Sequence, residues 1–146
     1  MVRAKDLMTT EVVTVGPDDS IAKAIDLMLE HRVSGLPVVN DAGQLLGIIS
    51  EFDALELVWD GAPGTAEVFR FMSREVYTID ENADLNTMAQ RFRTLGVRRL
   101  PVLSGSRLVG IVSRRDLLAH LCQPPERETA LSQAEGGTER GSLATD

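Results

Sequence analysis

Two short stretches of this chain carry residue types that could hold a ligand. They are Gly47-Ile48-Ile49-Ser50-Glu51-Phe52-Asp53 and Gly110-Ile111-Val112-Ser113-Arg114-Arg115-Asp116. In each, a β-branched run ends at Gly-Ile-x-Ser and an Asp follows three residues after the Ser. That spacing predicts a strand running into a helix, with Ser as N-cap and Asp at the third helical position. The unpaired N–H groups and positive dipole end of such a helix attract an anion. The same two residues also serve as a plain capping pair, which needs no ligand, so the surrounding chain has to decide.

Charge favours a small anion. The chain carries a net charge of −7, which argues against general nucleic-acid binding. Yet between positions 91 and 115 there are seven arginines (91, 93, 98, 99, 107, 114 and 115) and no acid. Such a stretch can also be a solvated basic face.

The elements that must position these residues read as β-α-β-β-α, twice. Val12–Val15 is a strand-type run, closed by the turn residues Gly16-Pro17-Asp18-Asp19. Ser20 caps a helix with Ile21, Ile25, Met28 and Leu29 on one face. Gly35-Leu36-Pro37 breaks it. Val38-Val39, the turn Asn40-Asp41-Ala42-Gly43 and Leu45–Ile49 form a hairpin, and a helix carrying Leu55, Leu57, Val58 and Trp59 follows Ser50. The order then returns with the strand run Val76–Ile79, a helix bearing Leu85, Met88, Phe92 and Leu95, a hairpin over Leu100–Val112, and a last helix with Leu117, Leu118 and Leu121. Met8 and Met72, Thr14 and Thr78, and Pro37 and Pro101 are separated by 64 residues, whereas Gly47 and Gly110, Ser50 and Ser113, and Asp53 and Asp116 are separated by 63. The missing residue falls in the second hairpin turn. This is an internal duplication.

Residues 1–60 form the first copy, 61–65 a linker and 66–122 the second copy; 123–146, rich in Pro, Glu, Gly, Ser and Thr, reads as a mostly disordered tail. A sixty-residue unit is marginal alone. The two copies are therefore expected to pack sheet to sheet about a pseudo-two-fold, burying one shared core. No apolar run approaches membrane-spanning length, and the N-terminus lacks an export signal. One cysteine, Cys122, fits a reducing, cytoplasmic compartment. His31 and His120 are isolated, and no metal cluster, Walker loop or nucleophile–base set stands out. The expectation is a non-enzyme that needs no cofactor.

The duplicated pattern Val-Thr-Val-x-Pro-Asp…Val-Ser-Gly-Leu-Pro-Val-Val-Asn-Asp-x-Gly…Leu-Gly-Ile-Ile-Ser-x-x-Asp resembles a CBS domain, and the pair a Bateman module, over roughly residues 3–122. The resemblance implies an α/β fold of tandem β-α-β-β-α repeats with two clefts for adenosine-type ligands. It implies that Asp116 and Asp53 accept the ribose hydroxyls and that Ser113 and Ser50 lie beside the phosphates. The main cleft would combine Val13, Val33, Ser34 and Gly35 with Arg98, Arg99, Ile111, Ser113, Arg115 and Asp116. The second would combine Tyr77 and Val97 with Ile48, Ser50, Phe52 and Asp53. The first is rich in Arg, whose forks suit phosphate; the second is more aromatic and suits less phosphate or none.

The implied function is regulatory sensing of AMP, ADP or ATP, passed to an unidentified regulated protein. S-adenosylmethionine, NAD, nucleic acid, or a ligand-free interaction role are the alternatives. A homodimer is implied too, with Leu57, Val58 and Trp59 as candidate apolar contact area.

Overall fold

The protein, described over residues 1–122 in a computed structural model, begins with a short helix, α1 (Ala4–Leu7). The first half continues through α2 (Ile21–His31), β1 (Gly35–Val39), β2 (Leu45–Ser50) and α3 (Glu51–Asp60). A single 3-10 turn (Val68–Arg70) leads into β3 (Ile79–Asp80), α4 (Leu85–Leu95), β4 (Arg99–Ser104), β5 (Arg107–Ser113) and α5 (Arg114–Leu121). The tail expected over 123–146 lies outside the described residues, as does the Val58 side chain.

Local chemistry accounts for the helix ends. Ser20 accepts from the Lys23 N–H and Asp84 from the Thr87 N–H, each satisfying a donor that a helix start leaves without an internal partner. α4 stops at Gly96 in the left-handed region (φ 65°), where glycine carries no steric penalty; α2 stops in the same conformation at Arg32 (φ 54°). The linker is not free chain. Its Gly64 carbonyl accepts from the Ala22 N–H, and the carbonyl of Ala66, just past it, from the Ile21 N–H, closing the start of α2.

The two hairpins are antiparallel and repeat in register: Gly35 faces Ser50, and Arg99 faces Ser113. Each ladder shifts at the same place, between Val38 and Val39 and between Val102 and Leu103. The leading strands are shorter than their β-branched runs suggest. Of Val12–Val15, only Val15 pairs, its N–H donating to Pro37 (3.1 Å) and its carbonyl accepting from Val39 (2.9 Å). Of Val76–Ile79, only Ile79 lies in β3, parallel to Val102; the Thr78 carbonyl accepts instead from Arg91 Nη2 (2.7 Å). Strand propensity needs a partner edge to become a strand, and the neighbouring hairpin offers one for only a residue or two.

Two buried clusters replace the single shared core expected. The first gathers Val15, Ile21, Ala24, Met28, Leu36, Val38, Ile49, Ala54 and Val68; the second gathers Ala4, Ile79, Met88, Phe92, Leu100, Val102, Val112 and Leu117. Ala4, at the start of the first copy, thus belongs to the second cluster, and Val68, at the start of the second copy, belongs to the first. The copies are held together by this exchange of leading segments rather than by a common interior. Ala4 and Lys5 donate to the Ala83 and Glu81 carbonyls, while Val68 and Phe69 donate to those of Asp19 and Pro17. At the hairpin tips, the Leu45 N–H donates to the Ser106 carbonyl and the Leu108 N–H to the Gly43 carbonyl, both at 3.0 Å. These reciprocal pairs are the signature of a pseudo-two-fold.

Candidate functional site

Both capping pairs form. The Asp53 N–H donates to Ser50 Oγ (3.1 Å), and Asp53 Oδ2 accepts from the Ser50 N–H (2.9 Å). The Asp116 N–H donates to Ser113 Oγ (3.1 Å), and Asp116 Oδ2 accepts from the Ser113 N–H (2.8 Å). In both aspartates the cap occupies Oδ2, while Oδ1 accepts no hydrogen bond among the described residues. Capping and ligand binding therefore do not compete, because a carboxylate has about four acceptor positions.

The two caps differ in one respect. The Ser50 hydroxyl donates to Asp53 Oδ2 (2.9 Å), whereas Ser113 Oγ makes no equivalent bond. The hydroxyl at the head of α5 can thus turn to an incoming acceptor; the one at the head of α3 is engaged. Side-chain charge runs the same way. α3 starts with Glu51 and Asp53, but α5 starts with Arg114 and Arg115 ahead of Asp116. Negative side chains at a helix start compete with an anionic ligand for the same positive dipole end.

Backbone pairing ties each cap to the residues ahead of its hairpin. The Glu51 N–H donates to the Ser34 carbonyl (2.8 Å), and the Arg114 N–H to the Arg98 carbonyl (3.0 Å). A groove of about 780 Å³ then brings Val33, Ser34, Arg98 and Arg99 onto one lining. Its apolar wall comes from α2 and α3, including Ile25, Met28, Ala54 and Leu57.

The remaining residues of the expected main cleft lie off this lining. Val13 packs against the first buried cluster, Gly35 lies in the ladder opposite Ser50, and Ile111 opposite Pro101. Ser113 and Asp116 form the cap next to Arg99, and Arg115 is exposed. Of the second set, Ile48 pairs with Pro37 and with Ser73, and Val97 packs against the second cluster. Tyr77 is 58% exposed and Phe52 75%, away from the groove.

Arg32 and Glu51 also line the groove, although the sequence pattern did not single them out. A signal for Arg32 was present: it stands 64 residues before Gly96, at a helix end that calls for the left-handed region, so a non-glycine residue is out of place there. Among the described residues, no group of three His, Cys, Asp or Glu could hold a metal ion.

Comparison with known proteins agrees with this architecture. The CBS domain family model matches residues 4–60 and again 66–122. The chain is 35% identical over 133 residues to the CBS domain-containing protein YhcV of Bacillus subtilis, covering 90% of this chain and 94% of that protein. It is 33% identical over 123 residues to hypoxic response protein 1 of Mycobacterium tuberculosis, covering 83% and 86%. The crystal structure of hypoxic response protein I, which holds two coordinated zinc ions, superposes with a TM-score of 0.72 over 82% of this chain and 99% of that one. That of CBSX2 in complex with AMP has a TM-score of 0.73 at 26% identity, covering 84% and 98%. The CBS domain pair of MJ0100, in complex with 5-methylthioadenosine and S-adenosyl-L-methionine, has a TM-score of 0.67 at 25% identity, covering 82% and 99%. Two matched repeats that exchange their leading segments, each ending in the same Ser–Asp cap, make this chain a member of the CBS domain family, in the form of a tandem pair.

Proposed function

We propose that the chain is a regulatory module that senses an adenine nucleotide (AMP, ADP or ATP) at the head of α5 and has no catalytic activity of its own. The observation that carries this reading is the Ser113–Asp116 cap. Among the described residues it leaves one carboxylate oxygen and the proton of the Ser113 hydroxyl unengaged, and the Arg114 N–H within it is bonded to the Arg98 carbonyl. Adjacent ribose hydroxyls can donate to the carboxylate, as in other nucleotide sites, and guanidinium forks suit phosphate oxygens. The AMP complex of a related CBS protein supports an adenine nucleotide; the S-adenosyl-L-methionine complex of another keeps adenosyl ligands as the alternative.

The site at Ser50–Asp53, with Glu51 beside it, suits a ligand carrying less phosphate, or none. The module works as a homodimer in the cytoplasm; the single cysteine supports a reducing setting. It signals by differential affinity: bound ligand shifts the packing of the two repeats, and the contact with a regulated protein, only as far as it prefers one arrangement.

A thermal-shift panel of AMP, ADP, ATP, S-adenosylmethionine and NAD tests the reading. Ligand at about a hundred times its Kd stabilises the folded state by roughly 2.7 kcal/mol. A shift with one of them that disappears in Asp116→Asn supports a sensor and names its ligand. A flat panel overturns the sensor and leaves a ligand-free interaction module.

A further inference from the structure

Among the described residues, Arg32 is the only non-glycine residue with positive φ (φ 54°, ψ 46°). The equivalent end of α4 has Gly96 in the same left-handed conformation. Glycine meets no steric penalty there, whereas any residue with a Cβ does. The backbone therefore favours glycine at position 32, and the sequence supplies a long cation instead. Arg32 is exposed, so its side chain is not needed to fill a core. Strain kept where an unstrained residue would serve the fold points to a use for the side chain.

That side chain lines the same groove of about 780 Å³ as Arg98 and Arg99. Arg32 comes from the first repeat and the other two from the second, so both repeats supply guanidinium groups to one groove. A single acid, Glu51, shares the lining. Among the described residues, the side chains of Arg32 and Arg99 donate no hydrogen bond and join no ion pair. Arg99 stands opposite Ser113 in the β4–β5 ladder, and directly opposed residues of an antiparallel pair put their side chains on one face. A phosphate at Ser113 thus has Arg99 beside it, and a longer phosphate chain continues into the groove that Arg32 lines. We infer that Arg32 reads the length of that chain: its fork takes the terminal phosphate of a nucleoside triphosphate, which AMP lacks. This rests on the nucleotide reading above. ATP is then held by guanidinium groups of both repeats, whereas the phosphate of AMP meets those of the second repeat alone. A ligand shifts the packing of the repeats only as far as it prefers one arrangement, so ATP and AMP bias the pair differently.

Calorimetric titration of the full chain with AMP and with ATP tests this in wild type, Arg32→Gly and Arg32→Ala. Both variants bind ATP roughly tenfold to a hundredfold more weakly, the loss of one charge-assisted contact, and bind AMP within about twofold of wild type. Melting without nucleotide is the second readout. Arg32→Gly melts above wild type because glycine fits the left-handed position, and Arg32→Ala, which keeps a Cβ there, does not. Equal losses for AMP and ATP, or unchanged ATP binding, overturn the proposal while the sensor stands. An Arg32→Gly protein that melts below wild type shows the arginine holding the fold, and overturns it as well. If the wild-type chain binds neither nucleotide, the nucleotide reading fails and this inference with it.

Discussion

Thr9 and Ile111 exchange both of their backbone hydrogen bonds, the Thr9 N–H donating at 2.8 Å and the Ile111 N–H at 3.0 Å, although one opens the first repeat and the other lies in the last strand of the second. Ser73 and Ile48 do the same at 2.8 and 2.9 Å. In each case the segment that opens one repeat crosses the last strand of the other hairpin, one residue after a glycine. This explains the glycine of Gly-Ile-x-Ser without invoking a ligand.

A Cβ on Gly110 would lie 2.8 Å from the Thr9 carbonyl oxygen and 2.5 Å from Met8 Sδ, and one on Gly47 would collide with the Ser73 carbonyl oxygen. Backbone cannot swing aside as a side chain can. Gly110→Ala and Gly47→Ala are therefore expected to destabilise by about 1–3 kcal/mol each, the range for overpacking. At Gly64 a Cβ would meet only Ala22 Cβ, at an ordinary 3.4 Å. Gly64→Ala should stay within about 0.5 kcal/mol of wild type. Urea melts of the three variants check this, and equal stability for all three would refute the crossing-segment explanation.

The same exchange predicts where a truncation does its damage. Deleting residues 1–9 removes Ala4 from the second buried cluster, with Leu7 and Met8 that pack against it, and strips Thr9 from Ile111. The first cluster loses none of its buried members. Amide hydrogen exchange should then show lost protection in β4 and β5 before β1 and β2. Loss centred on β1 and β2, the hairpin nearer in sequence, would contradict the exchange.

The repeat, its hairpins and its caps were legible because they are local. Ser50, Asp53, Ser113 and Asp116 announce themselves by spacing, and the chemistry of a cap fits within four residues. The exchange of α1 and of Val68 was not legible, because nothing in Ala4 or Val68 names the cluster that buries it. Pairing a segment with the nearest hairpin was the natural expectation, and long-range backbone bonds such as Ala4 to Ala83 overrode it. Strand length failed for a related reason: Val12 and Val13 have the propensity but no partner edge. Arg98, Arg99, Val33 and Ser34 were expected together from family resemblance, and the groove does bring them together. Arg32 was missed because the arginine run that drew attention begins at Arg91, in the other repeat.

Acid stability should depend in part on the carboxylate that caps α4. The Thr87 backbone N–H donates to Asp84 Oδ1 and holds its pKa below the ordinary 3.8, helped by the Thr87 side chain and the charge of Arg3, with burial opposing. A carboxyl whose folded pKa is depressed contributes stability that is present above its unfolded pKa and is lost as pH falls through the folded value. Asp84→Asn keeps a capping acceptor but not the ionisation. Its melting temperature should therefore fall less steeply than wild type as pH drops below 3.8. Parallel curves for the two proteins would remove Asp84 from the acid response.

Ligand selectivity should divide along the two faces of the site at the head of α5. Asn at position 116 still accepts from the Ser113 N–H, so Asp116→Asn should melt within about 1 kcal/mol of wild type, the usual worth of a cap. It would nonetheless lose the charged acceptor for ribose, and with it response to every adenosyl ligand. Arg99→Ala removes a fork and no cap, so its loss should scale with phosphate, greatest for ATP and least for S-adenosylmethionine. A charge-assisted hydrogen bond contributes about 1.5–3 kcal/mol, so a lost contact to ATP should weaken its binding by roughly tenfold to a hundredfold. Calorimetric titration of both variants with both ligands separates the effects. If Arg99→Ala weakens the two ligands equally, Arg99 holds the shape of the groove rather than a phosphate. If Asp116→Asn spares both, the carboxylate is a cap and nothing more.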